Sequence, residues 1–139
     1  MKYLCLMFCL LASNAIVAGE LKLEIHGSGI AGKNIYVAVY GADHAQDFPM
    51  KDQYARTGQT VATGDVAELL LTDIASGEYA VAVYADINGN NKLDSNFLGI
   101  PKEPIGMSRN AKGRFGPPGF ADAAFKITDG INTMPIQLH

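Results

Sequence analysis

Short runs in which apolar and polar residues alternate one by one constrain this chain more than any other feature. Leu21, Leu23 and Ile25 alternate with Lys22 and Glu24; Ile35, Val37 and Val39 alternate with Tyr36, Ala38 and Tyr40; Tyr79, Val81 and Val83 alternate with Ala80, Ala82 and Tyr84. Successive side chains of an extended strand point to opposite faces, so a period of two is what a strand with one buried face leaves in a sequence. A further strand reads over residues 66–74, with Ala67, Leu69 and Leu71 inward and Leu70 outward, and Ser76-Gly77 turns the chain into the strand at Tyr79. These runs predict an all-β fold: a single, predominantly antiparallel, Ig-like β-sandwich of about seven strands.

The C-terminal region supplies two of those strands. Asp129-Gly130 reads as a two-residue type I′ hairpin loop, a turn whose two central residues both need positive φ. Counting outward places Phe125 opposite Met134, Ala123 opposite Ile136 and Ala121 opposite Leu138, apolar against apolar on one face. A slip of one residue would turn all of them away from the core. Pro135 falls on the other face and lacks an N–H donor, which suits an edge strand.

At the N-terminus, Lys2 is followed by an apolar run from Tyr3 to Leu11 and by small residues at Ala15 and Ala18. This is the pattern of a secretory signal peptide over residues 1–18, with cleavage after Ala15 or Ala18 fitting equally well. The run is shorter than the roughly 20 residues of a membrane span, and no later stretch qualifies. The expected mature protein is therefore exported, periplasmic or secreted, with no transmembrane segment. Cys5 and Cys9 leave with the leader, so disulfides, thiol catalysis and cysteine metal sites are excluded from the β-sandwich domain of residues 19–139. Loss of Lys2 leaves ten basic against fourteen acidic side chains, a net charge of −4. Nucleic acid, which requires a basic footprint, is not an expected partner.

Two connections carry the remaining sequence. Residues 27–32 read as a flexible turn, and residues 43–58 as a polar stretch with at most one helical turn near His44–Phe48. Residues 86–120 form a connection too long for an idle loop inside a compact domain. Its apolar residues Phe97, Leu98, Ile100, Ile105, Met107, Phe115 and Phe120 are expected to pack onto the sandwich edge, and Pro101, Pro104, Pro117 and Pro118 to stiffen its path. The segment is also net basic by two, with Lys92, Lys102, Arg109, Lys112 and Arg114 set against Asp86, Asp94 and Glu103. Lys102, Arg109, Lys112 and Arg114, with Phe115, are the candidate ligand-binding residues, a mixture suited to an envelope glycan, a peptide or an anionic lipid.

Within this connection Asp86, Asn88, Asn90, Lys92 and Asp94 fall at positions 1, 3, 5, 7 and 9 of a calcium loop. Alternate oxygens there converge on one point, with the backbone carbonyl serving at position 7, and calcium takes about 6 to 8 such ligands. Two positions depart from the consensus: Asn91 stands where Gly is usual, and Phe97 where a bidentate Glu closes the shell. Asn accepts the left-handed backbone that Gly provides. The missing Glu requires Asn96 or Glu103 to fold back if the shell is to close. The alternative reading assigns the Asp and Asn residues to Asx-turns that bond nearby backbone without an ion.

Ser76-Gly77-Glu78-Tyr79, the Asp86–Asp94 series, Asn96-Phe97-x-Gly99-x-Pro101, Glu103-Pro104-x-Gly106, Gly116-Pro117-Pro118-x-Phe120 and Ala123-Ala124-Phe125 together resemble the bacterial family called domain of unknown function 2141. The resemblance spans essentially the whole mature chain. It implies an exported protein with a prealbumin-like or carboxypeptidase-regulatory-like β-sandwich, and it implies no activity. For catalysis the residues offer little. His26, His44 and His139 sit in separate segments, and His26-Gly27-Ser28-Gly29 lacks the strand-to-helix setting of a nucleophile elbow. Asp86 and Asp94 could serve as an acid/base pair only at a set separation. The expected function is a non-catalytic binding or accessory module of the cell envelope, stabilised through the loop 86–94 by calcium. A purely structural calcium-stabilised domain and a hydrolase using the long loop are the alternatives.

Overall fold

The computed structural model describes residues 18–139, so the expected signal peptide lies, Ala18 apart, outside the described residues. β1 (Gly19–His26), β4 (Val66–Ile74) and β8 (Gly130–Gln137) form one sheet in the order β4-β1-β8. The second sheet runs β3 (Arg56–Val61), β2 (Asn34–Gly41), β5 (Gly77–Asp86), β6 (Ile105–Met107), with β7 (Phe125–Ile127) paired to the start of β5. The two sheets face each other as a β-sandwich, antiparallel throughout except where β1 and β8 run parallel.

The alternation does what it predicts. Leu21, Leu23 and Ile25 of β1 are fully buried against Ile35, Val37 and Val39 of β2 and Val81, Val83 and Ala85 of β5, while β4 adds Ala67 and Leu71, β8 adds Ile136, and Leu138 follows just past its end. Leu70 points outward and stays exposed. A second apolar cluster covers the other face of the five-stranded sheet: Tyr40 and Ala80 lie under Phe48, Met107 and Ala123, with Phe120 at its margin. Phe48 meets Tyr40 and Phe120 edge-on, at centroid distances of 5.3 and 6.3 Å. The central strand β5 is thus covered on both faces, which explains its nearly unbroken apolar run from Tyr79 to Ala85.

Four expectations need correction. The Phe125–Met134 hairpin does not form: β7 joins β5 in one sheet, and β8 runs parallel to β1 in the other, with Leu23 opposite Met134 and Ile25 opposite Ile136. Of the two turn residues only Gly130 has positive φ, so the type I′ geometry is not adopted. Instead the Asn132 amide ties the backbone of Thr128, Gly130 and Glu20 together and steers the chain across to the other sheet. Second, Phe120–Ala123 is a short helix (α1), not a strand, and Ala121 is exposed. Third, edge strand β3 (Arg56–Val61) begins inside the polar stretch of residues 43–58. Its inward positions are Gly58 and Thr60, so it lacks the apolar alternation that marks a strand. Fourth, the long connection includes β6, and Phe97, Leu98, Ile100 and Phe115 are exposed rather than packed. Pro135 does sit on an edge strand, as its missing donor requires.

The edge at β6 is sealed against β8. Ile105 and His139 exchange backbone hydrogen bonds of 3.1 and 2.9 Å. A Cβ at Gly106 would lie 2.7 Å from the Gln137 carbonyl oxygen and 2.8 Å from Ile136, so only glycine fits this crossing.

Burial also fixes a pH limit. The Tyr40 hydroxyl, donating to the Pro49 carbonyl at 3.0 Å, is pushed up to about 12 by burial and then by Asp52 and Asp47. Tyr84 rises to about 12 through burial, then Tyr36, Asp86, Glu103 and Asp52. An unfolded tyrosine ionises near pH 10. Both side chains therefore contribute stability that is complete below about pH 10 and lost as pH rises toward about 12. Ultraviolet titration should show two late tyrosines together with alkaline unfolding in that window, and ionisation of every tyrosine near pH 10 in a folded protein would contradict this.

Candidate functional site

β5 ends at Asp86, whose backbone still pairs with Asn34 of β2, and the side chain turns back under the loop that follows. Asp86 is only 1% exposed. Its Oδ1 accepts the Gly89 and Asn90 N–H groups at 2.9 and 3.2 Å, and its Oδ2 accepts the Asn91 N–H at 2.8 Å. Three charge-assisted bonds are what allow a carboxylate to stay buried at the rim of an apolar core. Asn91 has a φ of 62°, the left-handed backbone that the Gly-to-Asn exchange must supply, and its Oδ1 accepts the Tyr36 hydroxyl at 2.6 Å. Tyr36 in turn stacks on Tyr84 with ring centroids 5.1 Å apart, fastening the loop to the outer face of the sheet.

Glu103 closes the other end. It is 7% exposed, and its Oε1 accepts the Ile87 N–H at 3.0 Å while its Oε2 accepts the Asp94 N–H at 3.2 Å. Glu103 thus folds back onto the loop, six positions beyond Phe97, and spends both oxygens on backbone N–H groups. Between the two buried carboxylates, Asp94 collects the amides of Asn88 at 2.7 Å and Asn90 at 2.8 and 2.9 Å. The Asn88 and Asn90 side-chain Oδ1 atoms accept the Asn90 and Lys92 N–H groups.

The structure therefore brings Asp86, Asn88, Asn90 and Asp94 together, and their oxygens serve as hydrogen-bond acceptors in the Asx-turn manner. Among the described residues no group of three or more His, Cys, Asp or Glu side chains is gathered closely enough to hold a metal ion. A calcium ion would have to draw on the Asn88 and Asn90 amide oxygens. A half-turn of each amide would bring oxygen toward Asp94 at the cost of turning nitrogen onto the Asn90 and Lys92 N–H groups that Oδ1 now accepts. Two carboxylates and two amides in one loop are the oxygen donors a hard cation takes, with the Asp86 oxygens already accepting three N–H groups.

The candidate ligand-binding residues do not form one patch. Lys102 belongs to the loop, its N–H donating to the Asp94 carbonyl at 2.8 Å. Arg109, with a φ of 57°, reaches the Ala124 carbonyl at 3.4 Å from beside α1. Lys112, Arg114 and Phe115 line an open depression with Gly119 and Asp122, and Phe115 is fully exposed. His26 and Ser28 are exposed and their side chains are not bonded to each other among the described residues, and Asp86 is committed to backbone. Two groups escape pattern reading: Ser108, fully buried between β5 and α1, and the Tyr36–Tyr84 pair, whose positions look like ordinary outward strand residues.

Residues 24–135 match the family described as "Uncharacterized protein conserved in bacteria (DUF2141)", and the chain belongs to that family. No curated protein matches. Among solved structures the chain is similar to a pilus-presented adhesin at 14% identity and a TM-score of 0.33, over 88% of this chain and 27% of that one. The chain spans about a quarter of that adhesin's length. No helix among the described residues is long and apolar enough to cross a membrane.

Proposed function

We propose that this family member is a non-catalytic accessory module of the bacterial cell envelope, exported to the periplasm or beyond, which displays the 86–104 loop from a rigid two-sheet frame. The observation that carries this reading is the use of the carboxylates. Of the two carboxylates a hydrolase would need free, Asp86 is buried and occupied by three backbone N–H groups, and Asp94 is held by the side-chain amides of Asn88 and Asn90. Catalysis requires an acid or base within reach of substrate, whereas these side chains hold a loop in shape. Ordered loops on a fixed scaffold are where binding surfaces are built.

Calcium is the ion this loop would take, through Asp86, Asn88, Asn90, the Lys92 carbonyl and Asp94. Binding would offset the charge of Asp86 and Asp94 and add RT ln(1 + [L]/Kd) to stability, about 2.7 kcal/mol at a hundredfold excess over Kd. For a domain of this size that is a rise in melting temperature on the order of 10 °C. The test is a thermal melt across a calcium titration in the wild type and in Asp94→Ala, which leaves the Asp86 and Glu103 contacts in place. The expected result is a calcium-dependent rise that Asp94→Ala abolishes. Identical melts with and without calcium would remove the ion from the account and leave a loop closed by hydrogen bonds alone.

A further inference from the structure

The end of the displayed loop is ordered without being buried. Residues 94–102 form a small hairpin: the Lys102 N–H donates to the Asp94 carbonyl at 2.8 Å, Ser95 and Pro101 form a bridge, and the Asn96 N–H donates to the Ile100 carbonyl at 2.9 Å. The Asn96 side chain completes it, Oδ1 accepting the Leu98 and Ile100 N–H groups at 2.9 and 3.0 Å, and Gly99 turns the corner with a φ of 78°. Four hydrogen bonds thus fix a turn whose side chains touch little of the protein. Phe97 is 95% exposed, Leu98 68% and Ile100 56%. A disordered loop would give no reason for this, but a rigid turn presenting three large apolar groups to water is costly unless something covers them.

We propose that this hairpin inserts Phe97, Leu98 and Ile100 into the interfacial region of a lipid bilayer. Three features favour lipid over a protein groove. The apolar group is convex and small, supplying only a fraction of the roughly 800 Å² per partner that a stable protein interface buries, whereas an interfacial anchor needs to reach only about 5 to 10 Å into the headgroup and acyl boundary. An aromatic beside aliphatics suits that boundary. Lys92, two residues before the hairpin, and Lys102, at its end, are exposed where they can meet lipid phosphates, while the nearby acids Asp86 and Glu103 are buried and Asp94 is held by two amides. This inference rests on the loop being displayed and not on its taking calcium.

The sequence has no tryptophan, so Phe97→Trp creates a single reporter at the tip. Added to protein-free vesicles of phosphatidylethanolamine and phosphatidylglycerol with a chelator present, this variant should show a blue-shifted emission and should float with the vesicles. Adding Leu98→Ser and Ile100→Ser should weaken partition by about tenfold or more without moving the melting temperature, since these side chains are exposed. No shift at saturating lipid, or equal partition by the serine variant, overturns the proposal. A blue shift with envelope protein extract but none with protein-free vesicles also overturns it, in favour of a protein partner. Because chelator is present, either failure is distinct from failure of the calcium reading.

Discussion

Asp86→Ala is expected to lower stability by about 3 kcal/mol, read from chemical denaturation, although it changes neither core packing nor any strand residue's apolar side. The carboxylate is buried at the rim where β5 ends and accepts three N–H groups. Leaving a donor without its partner costs roughly 1–3 kcal/mol, more when the partner was charged, and part of that is recovered where water can enter the loop. Asp86→Asn keeps one accepting oxygen and should lose about half as much. Equal stability of the alanine variant and the wild type would mean that the loop does not depend on this carboxylate.

Ser108→Ala should cost about 2–3 kcal/mol through a different part of the frame. Ser108 is fully buried, its Oγ accepting the Val81 N–H at 2.9 Å and donating to the Ala123 carbonyl at 2.6 Å. One hydroxyl thus joins β5, where the ladder to β6 has ended, to the end of α1. Alanine leaves a buried donor and a buried acceptor unpaired, with no room for water to replace them. Ser108→Thr restores the hydroxyl and should recover much of the loss if the added methyl is accommodated. A loss below about 0.5 kcal/mol for alanine, the range of an ordinary surface substitution, would contradict this role.

How far the sequence reaches can be seen in β8. Its alternation, continued one residue past the strand, correctly turns Met134, Ile136 and Leu138 toward the core, because a period of two fixes the face. It does not fix the neighbour: the same inward set satisfies a hairpin with β7 and a parallel pair with β1, and backbone φ at Asp129 decides between them. β3 is hidden for the opposite reason. An edge strand facing the core with Gly58 and Thr60 carries no apolar parity. In the loop, spacing brings out Asp86, Asn88, Asn90 and Asp94 as one group and offers Asn96 or Glu103 to fold back, and both do so onto backbone N–H groups. What spacing leaves open is whether the oxygens face an ion or the loop's own N–H groups, since both uses favour Asp and Asn at alternate positions. The exposed Phe97, Leu98 and Ile100 are misread because apolar composition predicts burial, while the hydrogen bonds of Asn96 order the turn without it.

The central claim is that two buried carboxylates hold the 86–104 loop in one shape, and amide hydrogen exchange tests it at single residues. In the wild type, the amides of Gly89, Asn90 and Asn91, bonded to Asp86, and of Ile87 and Asp94, bonded to Glu103, should exchange at least about tenfold more slowly than in a free peptide. In Asp86→Ala the first three should lose that protection while the β1 and β2 amides keep theirs. Exchange of all five at free-peptide rates in the wild type would contradict the account.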